Sequence, residues 1–190
     1  MNNCMCEKCR KKRDSLDFGK KVRETSDAIR ANPNDTQAHL ERGEAYLFAG
    51  KTKMAIADFK RAIHVNPKSA EAYVGLARAH LDNQNFDRVI AKLTLAIDLN
   101  PKDKEVYSIR GMANLLSKRF NQAIEDYTEV IKLDPDDTEG YFYRGIVYMN
   151  AGKFELAKMD FRTILTIDPN HSVAKTALQD FPLGWTWREL

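Results

Sequence analysis

The sequence predicts an all-α protein, a solenoid of antiparallel helix pairs, and three observations predict it. Five of the six prolines, Pro33, Pro67, Pro101, Pro135 and Pro169, recur every 34 residues without drift. Aligned on them, small residues share one column (Gly43, Ala77, Gly111, Gly145) and large apolar ones another (Phe59, Leu93, Tyr127, Phe161). Within each period the apolar positions recur at helical spacing in two runs parted by a turn, the signature of one helical hairpin per repeat.

Taken in order, residues 1–13 are rich in Cys, Lys and Arg and read as a solvated, unstructured tail. Residues 14–33 read as a half-repeat, a lone helix of the second type: Phe18 stands one period before Thr52, Ala28 before Ala62 and Ile29 before Ile63. Four full repeats follow, 34–67, 68–101, 102–135 and 136–169. In each, the small residue belongs where the two helices cross, since a missing side chain lets backbones approach. Ala55, Val89, Ala123 and Ala157 extend that contact onto the second helix, which Phe86, Phe120 and Phe154 open and Ile63, Ile97, Ile131 and Leu165 close. Each large side chain so buried contributes about 1.5–3 kcal/mol, and neighbouring repeats share the surface. The proline ends the second helix, and Asp35, Ser69, Asp103 and Asp137 two residues later are the expected N-caps of the next. Residues 170–181 read as a capping helix with Val173, Ala174 and Ala177 on one face, and 182–190 as an aromatic tail carrying Trp185 and Trp187.

With His39, Tyr73, Tyr107 and Tyr141 added as a mainly aromatic column, these residues resemble the tetratricopeptide repeat family from Asn34 to Pro169. Two departures stand out. Arg42, Arg110 and Arg144 occupy a place the family gives to an aliphatic residue, kept here only as Leu76; His80 and Asn114 replace an aromatic kept as Tyr46 and Tyr148.

The resemblance implies a right-handed superhelix whose first helices line a concave groove for a protein or peptide partner. The groove candidates are then Leu40, Glu44, Val74, Arg78, Ile109, Met112, Phe142, Tyr143, Ile146 and Met149, with Glu71, Glu105 and Glu139 as a recurring acidic edge. Some of these residues are expected to pack between repeats instead. Two known specialisations of the family are missing. A Lys/Arg/Asn clamp for a C-terminal carboxylate would fall on Leu40, Glu44, Gly75, Glu105 and Ile109, and an asparagine ladder on Glu41, Gly75, Ile109 and Tyr143. An amphipathic helix or apolar segment suits what remains. The expected function is a protein-interaction scaffold or adaptor, with a chaperone-like carrier of one client as the alternative.

Composition narrows the other classes. Of the net charge of +3, residues 1–33 carry +4, leaving −1 for the remainder, so the array is slightly acidic overall and nucleic-acid binding is not expected. No apolar stretch reaches the roughly 18 residues of a membrane span and none forms a signal-peptide core, so a cytoplasmic protein is expected. Cys4, Cys6 and Cys9 admit three readings: an inert tail, a metal site lacking its fourth ligand, or acylation beside the basic run Lys8 to Arg13. Acylation is the only route by which membrane association is expected. Ala45–Thr52 loosely resembles a phosphate-binding loop, yet it joins two helices and lacks the first glycine. The four histidines have no nucleophile or carboxylate at useful spacing, so neither an enzyme nor a cofactor is expected. The aromatic tail at 182–190 is expected to pack on the last helix or to occupy a groove, its own or a neighbour's, as a self-association contact.

Overall fold

The computed structural model describes the backbone of residues 7–81 and 84–179 and the side chains of 18–81 and 84–179. The chain divides into two compact units, Met1–Leu99 and Asn100–Leu190. The first holds α1 (Glu7–Ala31), α2 (Thr36–Phe48), α3 (Thr52–Val65), α4 (Ala70–Leu81) and α5 (Phe86–Leu99). The second holds α6 (Lys104–Leu116), α7 (Phe120–Leu133), α8 (Thr138–Asn150), α9 (Phe154–Ile167) and α10 (Ser172–Gln179). Within each unit every helix packs on the next, and among the described residues there is no strand.

The first helices start where expected and for the expected reason. Asp35 accepts a hydrogen bond from the Ala38 amide (3.0 Å), Asp103 from Glu105 (3.2 Å) and Asp137 from Glu139 (3.0 Å); Ser69 Oγ accepts from Ala72 (3.2 Å). His171 does the same for α10, its Nδ1 accepting from the Ala174 amide at 3.2 Å. Two boundaries differ from the sequence expectation. α1 begins at Glu7 rather than near residue 14, because Glu7–Asp14 is mostly Glu, Lys and Arg, good helix formers, with no proline or glycine to break it. α10 is shorter than 170–181, and the aromatic tail lies outside the described residues.

The hairpin corners explain the false phosphate-loop signal. Gly50 (φ 68°) and Gly152 (φ 71°) adopt the left-handed conformation that ends the first helix. Gln84 (φ 53°) and Lys118 (φ 60°) occupy the same column at a steric cost that glycine avoids. Lys118→Gly should therefore stabilise unit 2 by about 1 kcal/mol, read as a higher denaturant midpoint.

The helix crossings are close-packed. A Cβ built on Gly43 would stand 2.8 Å from the Phe59 ring, on Gly111 2.9 Å from Tyr127, and on Gly145 2.9 Å from Phe161. Repeat 2 uses the other solution: Leu93 in place of the ring, with Ala77 opposite, both fully buried. A Cβ on Gly75 would collide with the same Phe59 ring, so α3 and α4 also meet over it.

Candidate protein-binding surface

The three arginines that depart from the family pattern are held in place by buried carboxylates. Arg42 donates from Nε and Nη2 to both oxygens of Asp58 (2.8 and 2.7 Å), and Arg144 does the same to Asp160 (2.9 and 2.7 Å). Arg110 reaches Asp126 Oδ1 at 3.0 and 2.6 Å. Each pair is 16 residues apart, first helix to second. The arginines also reach back one helix: Arg42 Nη1 donates to Ser26 Oγ (3.2 Å) and Arg144 Nη1 to Thr128 Oγ1 (3.1 Å). Each such guanidinium links three helices, which a leucine cannot do. The bonds to Asp58 and Asp160 raise the pKa of Arg42 and Arg144 above the ordinary arginine value.

Neighbouring polar groups complete these stations. His39 lies within hydrogen-bond reach of Asp58 (3.2 Å) and of the Pro33 carbonyl (3.1 Å); one period on but one, Tyr107 donates to the Pro101 carbonyl (3.3 Å). Asn114 donates to Asp126 (2.8 Å), leaving its buried Oδ1 without a partner among the described residues. Burial raises the Asp126 pKa, against the lowering effect of Arg110 and Asn114. The stations are structural, because every charge in them is already paired with the chain itself.

Repeat 2 lacks the station. Leu76 stands for the arginine and Lys92 for the aspartate, and buried His80 lies where Asn114 lies in repeat 3. Burial first, then the charges of Arg88, Lys60 and Lys92, lower the His80 pKa below its ordinary value. The folded chain therefore binds a proton at His80 less readily than the unfolded one. Stability from this group is fully present above the unfolded value near 6.5 and falls as pH drops below it. Asp58 is the one buried carboxylate on α3, and it is spent on Arg42 and His39. His80→Tyr, matching Tyr46 and Tyr148, should flatten the stability profile below about pH 6.5, measured by urea melts.

The groove candidates separate by burial. In unit 1, Leu40 is a core residue at 3% exposure, packed with Phe59 and Leu76; Val74 is half-buried, and Glu44 and Arg78 are exposed. In unit 2, Ile146 is likewise core at 8%, so neither Leu40 nor Ile146 can face a partner, and a lysine at 146 would disturb folding first. The remaining candidates, Ile109 and Met112 on α6 and Phe142, Tyr143 and Met149 on α8, are half-exposed. Phe142 is tied inward, its ring 6.2 Å from Phe161 and 6.3 Å from His171. Tyr143 stacks on Tyr127 at 5.6 Å, meets the Phe142 ring edge-on at 5.4 Å and remains partly exposed. Glu71, Glu105 and Glu139 are all exposed in the first turns of α4, α6 and α8. Sequence patterning missed Phe48, the most exposed large apolar residue among those described at 77%, which follows Leu47 at the end of α2.

Cys4 and Cys6 lie outside the described residues, and Cys9 falls within α1. Among the described residues no group of three His, Cys, Asp or Glu side chains is placed to hold a metal ion, and no helix is long and apolar enough to cross a membrane.

Comparison with known proteins agrees with this geometry. Family models described as tetratricopeptide repeat match residues 40–104 and 138–171, and a third, described as TPR repeat, matches 115–152. The chain belongs to the tetratricopeptide repeat family. Among curated protein sequences, none matches it. Many solved TPR structures do. A crystal structure of MamA is 27% identical with a TM-score of 0.77, covering 86% of this chain and 95% of that one. YrrB, described as a TPR protein with an unusual peptide-binding site, is 18% identical with a TM-score of 0.74 over 87% of this chain and 85% of its own. MamA from Desulfovibrio magneticus RS-1 is 17% identical, with a TM-score of 0.73 over 80% and 85%. The matched stretches fall in all four repeats, with residues 105–114 between the first two of them.

Proposed function

We propose that this TPR chain is a protein-interaction scaffold that holds a helical or apolar segment of a partner against the first helices of unit 2. One observation carries the reading: Ile109, Met112, Tyr143 and Met149 leave apolar surface half-exposed on α6 and α8, while Arg110 and Arg144 beside them are already paired with Asp126 and Asp160. Lys104, for instance, donates to both Asp134 (2.5 Å) and Asp137 (2.8 Å) beneath the start of α8. An apolar strip bordered by Glu105 and Glu139 suits an amphipathic helix that is basic along its edge. That YrrB is described as carrying a peptide-binding site on the same architecture is in keeping with such a role.

The test is paired affinity capture with quantitative mass spectrometry. Wild type and the Ile109→Lys/Met112→Lys variant, whose substitutions are half-exposed and should leave the melting temperature within a few degrees, are compared. Proteins retained by wild type and depleted at least about tenfold by the variant support the reading, since each buried apolar side chain contributes about 1.5–3 kcal/mol. Equal retention contradicts it. Deleting residues 181–190 separates the tail: unchanged partner affinity excludes a role for it in the groove.

A further inference from the structure

The missing station of repeat 2 leaves a site that the first-helix reading does not use. In repeats 1 and 4 the same three places hold a hydroxyl, a guanidinium and a carboxylate: Ser26, Arg42 and Asp58, then Thr128, Arg144 and Asp160. Their repeat 2 counterparts, each one period after Ser26, Arg42 and Asp58, are Lys60, Leu76 and Lys92. A neutral, self-paired cluster has become an apolar residue between two lysines. Arg88 stands one helical turn before Lys92 and adds a third cation.

Nothing at helical spacing neutralises the three. Positions three and four residues to either side of Lys60 are Ile56, Ala57, Ile63 and His64; those around Lys92 are Arg88, Val89, Leu95 and Ala96; those around Arg88 are Gln84, Asn85, Ala91 and Lys92. Elsewhere the chain does pair its surface cations this way, as Arg30 with Asp27, Lys132 with Glu129 and Lys158 with Glu155. Lys60 and Arg88 are exposed, and the Lys92 amine stands over the Tyr73 ring, 5.9 Å from its centre. His80, whose basicity is lowered first by its burial, also feels the charges of all three.

We propose that the edge where α3, α4 and α5 meet is a second docking point, which takes an acidic stretch of a protein partner on Lys60, Arg88 and Lys92. The cations sit on two helices, α3 and α5, rather than converging from one turn, so one compact anion meets only part of the set. An extended segment places alternate side chains about 6.6 Å apart and lets successive carboxylates meet successive cations. The proposal rests on reading the chain as a protein-binding array, but its residues belong to the first unit and Ile109 and Met112 to the second.

His80 is the built-in reporter. With four histidines in the chain, each ring can be followed by NMR in the full-length protein, titrated at low salt with hexaglutamate peptide. The expected result is a saturable shift of the His80 ring and a rise of its titration midpoint by about one pH unit, with His171 unmoved. Lys60→Gln/Arg88→Gln/Lys92→Gln should weaken hexaglutamate binding about tenfold or more. The exposed pair Lys60→Gln/Arg88→Gln should weaken it in the same direction without touching the half-buried Lys92. The Ile109→Lys/Met112→Lys variant should respond to hexaglutamate as wild type does, so this site and the first-helix surface stand or fall separately. A His80 ring that moves no more than His171, or equal affinity in the triple variant, overturns the proposal. So does a response to inorganic phosphate at concentrations where hexaglutamate gives none, which would make this a small-anion site.

Discussion

Replacing Asp160 alone with leucine should destabilise unit 2 by about 3–5 kcal/mol, because it leaves the Arg144 guanidinium in a low-dielectric site with its Oδ partners gone. Replacing Arg144 and Asp160 together with leucine should cost far less, within about 1 kcal/mol of wild type, since both desolvated charges are then removed at once. Repeat 2 motivates the contrast: it carries Leu76 at the arginine position and packs it at 2% exposure. Urea melts of the two single variants and the double form a thermodynamic cycle. A double variant as unstable as Asp160→Leu alone would mean that the guanidinium's link to Thr128 is worth more than the ion pair, and that the station holds helices together in a way leucine cannot.

The second large effect lies at Phe59. Its side chain is fully buried, with Gly43 on α2 and Gly75 on α4 both packed against the ring. Phe59→Ala should cost about 3–5 kcal/mol through lost burial and the cavity left between three helices. The converse change is also unfavourable. Gly75→Ala gains up to about 1 kcal/mol of helix propensity, yet its Cβ would lie 2.3 Å from a ring that has no free volume to enter, and overpacking of this kind costs about 1–3 kcal/mol. Combining Gly43→Ala with Phe59→Leu, the residues found at Ala77 and Leu93, should be less damaging than the sum of the single changes. Additivity in that cycle would show that ring and glycine are not coupled.

Much of the fold was legible because a repeat shows its constraints four times. The prolines fixed the period, the caps at Asp35, Ser69, Asp103 and Asp137 formed as their chemistry requires, and the small and large columns met at the helix crossings. The arginines were visible as departures but not as partners. The signal was present, since Arg42, Arg110 and Arg144 each have an aspartate 16 residues later and Leu76 has Lys92 instead, but a helix-period search does not look across a hairpin. The surface was less legible for a related reason. Leu40 and Ile146 share a first-helix face with Val74 and Met112, and only the packing of the adjoining helices decides which of them water reaches. The start of α1 at Glu7 was missed because charged residues signal a solvated tail and a solvated helix equally well.

The placement of a partner on the first helices of unit 2 is tested most directly by hydrogen exchange on the full chain, with and without a protein captured by wild type and lost by the Ile109→Lys/Met112→Lys variant. New protection is expected in peptides covering α6 and α8, with α7 and α9 unchanged. Protection confined to α7 and α9 would contradict that placement.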